Sequence, residues 1–425
     1  MAETDSQAAS GATTPPSGGS GAAAAPFTIR SLIWTTYAPS FLLSFGAGIL
    51  IPVLPIFAKD TLGASVAMVG IAVAARELGT MLFDVPAGLL TSRLGTKNTM
   101  LIGVALFAAS AVGAAFSFNL GFLVLMRVVA GLGIAMWMIS RHAYIAQAVP
   151  TRSRGRALSL FGGLGRIATI LGPLAGGVIG KYISFEAAFF FQAGVGLATM
   201  AFVLVTLEPS LGAAPRYAQN ALARLSGTVV EYRREFATAG LAAIALQLLR
   251  SSRQLLVPLW GDSIGLDVSE IGYVTSISSA VDAAMFIPAG YSLDHWGRKW
   301  TGAPSLAILA LSLALLPLTE SFITLAAVGV LAGVGNGLSS GLVLTMGADI
   351  APKDAAGEFL GVWRLITDSG GAGGPLAIGA IAQALALWSA CFATAGIGVV
   401  GAAVMLLLVK ETADFSRAPS PPVKR

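Results

Sequence analysis

Ionisable residues interrupt stretches of this chain that are otherwise apolar. Arg76, Glu77 and Asp84 fall in one such stretch, Arg127 in another and Arg166 in a third. Further along stand Arg250 with Arg253, then Asp282, then Arg364 with Asp368. A charge inside a segment long enough to span lipid is costly, so it marks a functional position by default. A carboxylate held out of water beside a guanidinium can exchange a proton, because burial and the neighbouring cation act on that proton in opposite directions. Glu77, Asp84, Asp282 and Asp368 are the acids that fit this chemistry, since no acid falls between Leu32 and Phe57. Glu77 and Asp84 share a helix face by spacing. Arg250 and Arg253 are neighbours on one face, and Arg364 and Asp368 have the spacing of an intrahelical ion pair. Arg76 and Asp84 lie nearer helix ends, where polar groups reach the interface and neutralise one another. Asp282 and Asp368 fall mid-span. Arg166, Arg250, Arg253 and Arg364, with Gln247, Asn336 and Trp363, are the expected substrate contacts.

These residues must be positioned by membrane helices. Of 425 residues, 55% are hydrophobic and 11% charged, and the mean hydropathy is +0.79. A soluble domain carries about 25% charged residues, so this composition cannot cover a water-facing surface. Twelve apolar stretches can be marked, from near Leu32–Phe57 to near Ala382–Val409. Basic residues gather in alternate loops: Arg93 and Lys97; Arg152, Arg154 and Arg156; Arg216 to Arg234; Arg298 and Lys299; Lys353; and the C-terminal tail. Basic loops stay cytoplasmic, so both termini are expected inside, in the cell membrane. This bias also accounts for the net charge of +5 without a nucleic-acid partner. The predicted organisation is a disordered tail over 1–28, a six-helix bundle over 29–207 and an inter-bundle loop over 208–236. A second six-helix bundle over 237–410 and a tail over 411–425 complete it. The single cysteine, Cys391, excludes a disulfide framework. Two histidines are too few for a zinc cluster.

The bundles repeat one another. "GPLAGG" at Gly172–Gly177 returns as "GPLAIG" at Gly374–Gly379, an offset of 202. The same offset carries Pro86-Ala87-Gly88 onto Pro288-Ala289-Gly290, Gly95 and Lys97 onto Gly297 and Lys299, and Gly131 and Gly133 onto Gly333 and Gly335. Two parallel six-helix halves imply an axis along the membrane normal, with a substrate site at their interface near the midplane. Under the same offset Arg166 and Asp368 are equivalent, which places them as opposite charges facing across a central cavity.

In these features the chain resembles the major facilitator superfamily. "GLLTSRLGTK" at Gly88–Lys97 and "GYSLDHWGRK" at Gly290–Lys299 look like that family's loop motif between the second and third helices of each half. "RVVAGLG" at Arg127–Gly133 looks like its fourth-helix motif, and "GPLAGG" like the core of its antiporters' fifth-helix motif. Ser92 stands where the first loop motif usually has an acid, and His295 replaces a base in the second. The resemblance implies twelve transmembrane helices in two pseudo-symmetric bundles, an all-α integral membrane fold. It assigns Arg127 to proton transfer, and gating to Gly88, Arg93, Gly290, Asp294 and Arg298. Gly172, Pro173, Gly176 and Gly177 take the close packing of the antiporter motif.

No Ser-His-Asp set, metal motif or phosphate-binding loop is present, so neither an enzyme, a cofactor nor ATP-driven transport is expected. The expected function is proton-coupled efflux of a small organic solute by alternating access. An organic-anion carrier using the buried arginines and a lipid or lysolipid exporter are the alternatives. The expected partners are the solute, protons and the bilayer, with the chain working as a monomer.

Overall fold

The computed structural model describes residues 33–148, 154–207, 227–352 and 356–412. The predicted tail 1–28 and the basic residues Arg152, Arg216, Arg224, Lys353, Arg417, Lys424 and Arg425 lie outside them. Helix α1 is Ala38–Ile56, followed by a π-helical turn, Phe57–Thr61. The 50-residue segment Val66–Ala115 is broken at Gly95 into α2 (66–94) and α3 (96–115). Then come α4 (Leu120–Ala148), α5 (Arg154–Tyr182) and α6 (Phe185–Thr206). The second half begins with α7 (Leu241–Ser263). Its α8 is Val268–Ala284 with Phe286–His295, bent by 41°. It continues with α9 (Arg298–Leu315) and with α10, whose pieces are Phe322–Leu338 and Leu342–Ile350. Helices α11 (Ala356–Ala384) and α12 (Leu387–Leu407) close the fold. Eight described helical segments are long and apolar enough to span a bilayer, one of them being the double-length Val66–Ala115, and the bent α8 makes a further span. With α7 and α11, which carry the paired charges, the spans are the twelve expected.

The sequence repeat is a structural one. Gly95 and Gly297 both have positive φ, 81° and 96°, a conformation that only glycine adopts without strain. Each opens the third helix of its half. Helix α5 packs along α1 in its own half and along α8 in the other, while α11 packs along α7 and α2 in the same way. At these crossings backbones touch. A Cβ on Gly272 would lie 2.6 Å from the Pro173 carbonyl oxygen, and one on Gly70 would strike the equivalent carbonyl of Pro375. Gly176 faces the Ile49 carbonyl more closely still. Small residues at such crossings let helices approach in lipid, where no hydrophobic force drives them together. This is the close packing expected of Gly172–Gly177.

Register shifts by one in the first helix of each half. Gly172 meets Phe45 and Gly48, whereas its counterpart Gly374 meets Leu248 and Ser251, an offset of 203. The π turn Phe57–Thr61 absorbs the extra residue.

Candidate functional site

The two halves meet firmly at one end. Lys59 pairs with Asp262 across the interface, and Lys181 donates to Asp267 at 2.6 Å. The Val66 N–H donates to Gln383 Oε1 at 3.1 Å. Asp267 also caps α8, accepting from the backbone N–H groups of Ser269 and Glu270. Burial alone would raise its carboxyl, but the hydrogen bonds from Lys181, Ser269 and these amides outweigh that and lower it to about 2.

At the other end, where Gly95 and Gly297 lie, the glycines of the two loop motifs face open space. A Cβ on Gly88 or Gly290 would meet nothing within 4 Å. The family resemblance assigns gating to both, and in this conformation nothing packs against them. Asp294 is exposed and has no ion pair within the described residues. Arg298 stays within its own half: its Nε donates to Asp349 at 2.7 Å and its Nη1 to the Leu293 carbonyl at 2.8 Å. Glu411 accepts from the Arg298 and Lys299 backbone N–H groups at 2.8 and 3.1 Å, capping α9. Sequence reading assigned Glu411 only to a tail.

Between these ends lies a cavity of about 360 Å³. Arg166, Thr169 and Ile51 reach it from the first half, and the rest of its wall belongs to the second. Arg166 bridges the halves. Its Nη1 lies 3.1 Å from Asp282 Oδ1, its Nη2 donates to Ser340 Oγ at 2.8 Å, and its guanidinium stacks 4.5 Å from the Phe286 ring centroid. Asn336 Nδ2 donates to the other Asp282 oxygen at 2.7 Å. Arg166 therefore faces Asp282, not Asp368 as the offset suggested. Pseudo-symmetry makes positions equivalent but does not make them touch.

Arg250 and Arg253 share this cavity. Arg250 donates to Gln247 Oε1 at 2.9 Å, and to the Ser339 carbonyl at 3.0 Å and Ser339 Oγ at 2.7 Å. The carbonyl is available because α10 is interrupted at Ser339–Gly341, with Gly341 at φ 80°. A break at membrane depth is tolerated where it lines a cavity and its backbone groups find partners. Arg253 donates to Ser278 Oγ at 3.0 Å. The serines 278, 339 and 340 were missed from sequence. The run Gly337-Leu338-Ser339-Ser340-Gly341, small and polar within an apolar span, was the available signal.

A smaller cavity, about 30 Å³, is lined in part by Arg76, Glu77 and Arg127. Arg76 pairs with Glu77 beside it. Arg127 is 7% exposed, and its Nε has no hydrogen-bond partner.

Nearer the Gly95 end, Arg364 of α11 joins two acids. Its Nη2 lies 2.9 Å from Asp84 Oδ2 on α2, and its Nε 3.3 Å from Asp368 Oδ2 four residues on. The intrahelical pair was expected and the contact across the halves was not. Asp84 is not a charge that merely reaches the interface beside Arg76. Trp363, expected in the substrate site, is a core residue: it is 3% exposed, its indole donates to the Val343 carbonyl at 3.0 Å, and Gly347 packs against its ring.

A family model described as Major Facilitator Superfamily matches residues 39–260 and 239–424. The quinolone resistance protein NorA of Staphylococcus aureus is 32% identical over 172 residues, which is 40% of this chain and 43% of that protein. The chain thus aligns with less than half the length of that relative. An uncharacterized MFS-type transporter of Methanocaldococcus jannaschii is 21% identical over 361 residues, covering 84% of this chain and 92% of the other. Among solved structures, the nucleoside transporter NupG superposes with a TM-score of 0.77 at 14% identity, over 89% of this chain and 100% of that one. A bacterial homolog of the human lysosomal transporter Spinster, inward-facing and unoccupied, superposes with a TM-score of 0.73 at 18% identity, over 91% and 97%. Likeness at that identity speaks for the fold alone, but the family model spans nearly the whole chain: the protein belongs to the major facilitator superfamily, and its helices are those of a multi-pass membrane protein.

Proposed function

We propose that the protein exports a small organic solute in exchange for protons, its two bundles (29–207 and 237–410) rocking to open the central cavity to each side in turn. Both termini then lie in the cytoplasm, as the basic loops require, and one chain suffices. The observation that carries the reading is the cluster of Asp84, Arg364 and Asp368. Two carboxylates share one guanidinium, so the cluster carries one negative charge more than its cation offsets. Asp84 Oδ1 is buried without a hydrogen-bond partner. One proton neutralises the excess, and on Asp84 it dissolves the ion pair that ties α2 to α11. That pair is the polar contact between the halves nearest the Gly95 end among the described residues. Proton occupancy thus sets how firmly this end is held, a two-state contact of the kind that switching requires. Glu77 and Arg127, on the face of the same half, extend the polar path. The likeness to a quinolone resistance protein supports export as the direction and gives a first test solute.

The test uses the full chain in proteoliposomes with an imposed pH gradient. Gradient-driven flux of a fluoroquinolone, which carries a carboxylate, falls at least about tenfold, or 1.4 kcal/mol, in Asp84→Asn/Asp368→Asn. Exchange of solute at equal pH persists in the same variant. Gradient-driven flux that survives the double substitution overturns the assignment of the proton site. A pH gradient that does not move the fluoroquinolone through the unaltered protein overturns the antiport reading.

A further inference from the structure

We infer that the central cavity is built for an amphipathic organic anion, whose charged group sits between Arg253 and Arg250 and whose apolar part lies against Val257, Leu313, Leu325 and Val328. The inference rests on the transport reading above and adds the class of substrate. Among the described residues three guanidinium groups line the cavity, and Asp282 is the one carboxylate in its wall. That carboxylate is fully committed, with one oxygen on Arg166 and the other on Asn336. Arg250 and Arg253 hydrogen-bond only to neutral groups among the described residues, an amide, a carbonyl and serine hydroxyls, and share the field of the same Asp282. Arg250 Nε is buried with no partner. Three guanidinium groups against one carboxylate leave an excess of positive charge at membrane depth, which is costly, and an anion arriving between Arg250 and Arg253 removes much of that cost.

The repeat shows that the fold itself does not call for these arginines. In the shifted register of the first helix, Arg250 and Arg253 correspond to Ala47 and Leu50. Both residues occupy ordinary positions in α1 and line the smaller cavity. Arg250 has a local duty, holding the Ser339 carbonyl where α10 is interrupted. Arg253 has a single hydrogen bond among the described residues, to the Ser278 hydroxyl, so it is the position that separates recognition from scaffolding. The remaining wall combines aliphatic side chains with hydroxyls and amides, which suits an amphipathic solute, and the volume suits one or two rings. A cation placed there would face a net charge of its own sign.

The test compares three probes of one shape on the purified full chain: 2-naphthalenesulfonate, the neutral 2-naphthalenesulfonamide, and the cation (2-naphthylmethyl)trimethylammonium. Binding is read by thermal shift and titration calorimetry, with no pH gradient, so the outcome is independent of proton coupling. The sulfonate is expected to bind at least about tenfold more tightly than the other two. Arg253→Gln removes that preference without lowering the unliganded melting temperature or changing the elution volume, and Arg253→Lys keeps part of it. An anionic lysolipid that binds more tightly than the sulfonate supports the same chemistry and assigns the anion to a lipid headgroup. Equal or tighter binding of the cation to the unaltered protein overturns the inference without recourse to any variant. So does an unchanged sulfonate preference in folded Arg253→Gln.

Discussion

The two cavities occupy corresponding places in the two halves and are lined by opposite choices. In the second half Arg250 and Arg253 project from the first helix of the repeat, while the second and fourth helices offer Ser278, Ser279 and Gly329. In the first half the pattern inverts. The first helix offers Ala47 and Leu50, and the charges Arg76, Glu77 and Arg127 come from the second and fourth. By contrast, the contacts between backbones are kept: Gly70 on Pro375 mirrors Gly272 on Pro173. The repeat therefore preserves what lets helices cross and leaves free what they present to the cavity. One half could become a roomy cationic chamber of about 360 Å³ while the other closed around an ion pair and about 30 Å³.

Replacing a second-half residue by its first-half counterpart tests this division. The largest effect is expected at Asp282, whose counterpart is Thr80. Asp282→Thr leaves Arg166 without its carboxylate, and the side chains of that pair are only 22% and 20% exposed. Removing one partner of a buried pair costs about 3 kcal/mol, read as a lower melting temperature in detergent. Removing the arginine as well, in Arg166→Met/Asp282→Thr, should recover most of the loss. Additive losses would show that the two residues act independently and that the pair is not what joins the halves here.

A second, smaller effect tests what the repeat keeps. Gly70→Ala and Gly272→Ala each force a Cβ against a proline carbonyl of the opposite half. Overpacking of this kind costs about 1–3 kcal/mol, and equal losses in melting temperature are expected from the two variants. Gly373→Ala is the control, since a Cβ there meets nothing within 4 Å; it is neutral or slightly stabilising. Unequal losses at Gly70 and Gly272 would mean that the two crossings do not carry the same load.

These crossings were legible in the sequence because they are periodic. Glycines recur at one offset, and the positive-φ residues Gly95 and Gly297 are glycine for a reason local to the backbone. The list of charged residues was legible too, since a charge in an apolar span stands out. Their pairing was not. Arg166 meets Asp282 rather than its symmetry equivalent Asp368, and Arg364 reaches Asp84 as well as Asp368. Which side chains meet depends on how α5 lies on α8 and α11 on α2, and no spacing within one helix encodes that. Serines 278, 339 and 340 were passed over because a hydroxyl in an apolar span usually bonds its own helix backbone. Trp363 was misplaced because an aromatic in a span looks the same whether it lines a cavity or fills a core.

The smallest effect is expected at the firmly joined end. The cap of α8 is Asp267, whose counterpart at the start of α2 is Ser65. Ser65 makes no side-chain capping bond, whereas Asp267 caps its helix and also reaches Lys181 in the other half. The Asp267 carboxyl is lowered from 3.8 to about 2 in the folded protein. A carboxyl lowered by folding contributes stability above its unfolded value, and that contribution fades as pH falls from about 4 toward about 2. Asp267 is 36% exposed at the side chain, so solvent screening holds its contribution below about 1 kcal/mol. Asp267→Ser should lower the melting temperature slightly at pH 6, and the gap from the unaltered protein should narrow by pH 3. A gap that stays constant over this range would assign the effect to the cap's geometry and not to its charge. The two helix starts would then differ only in shape, and the ionic tie between the halves at this end would rest on Lys59 and Asp262.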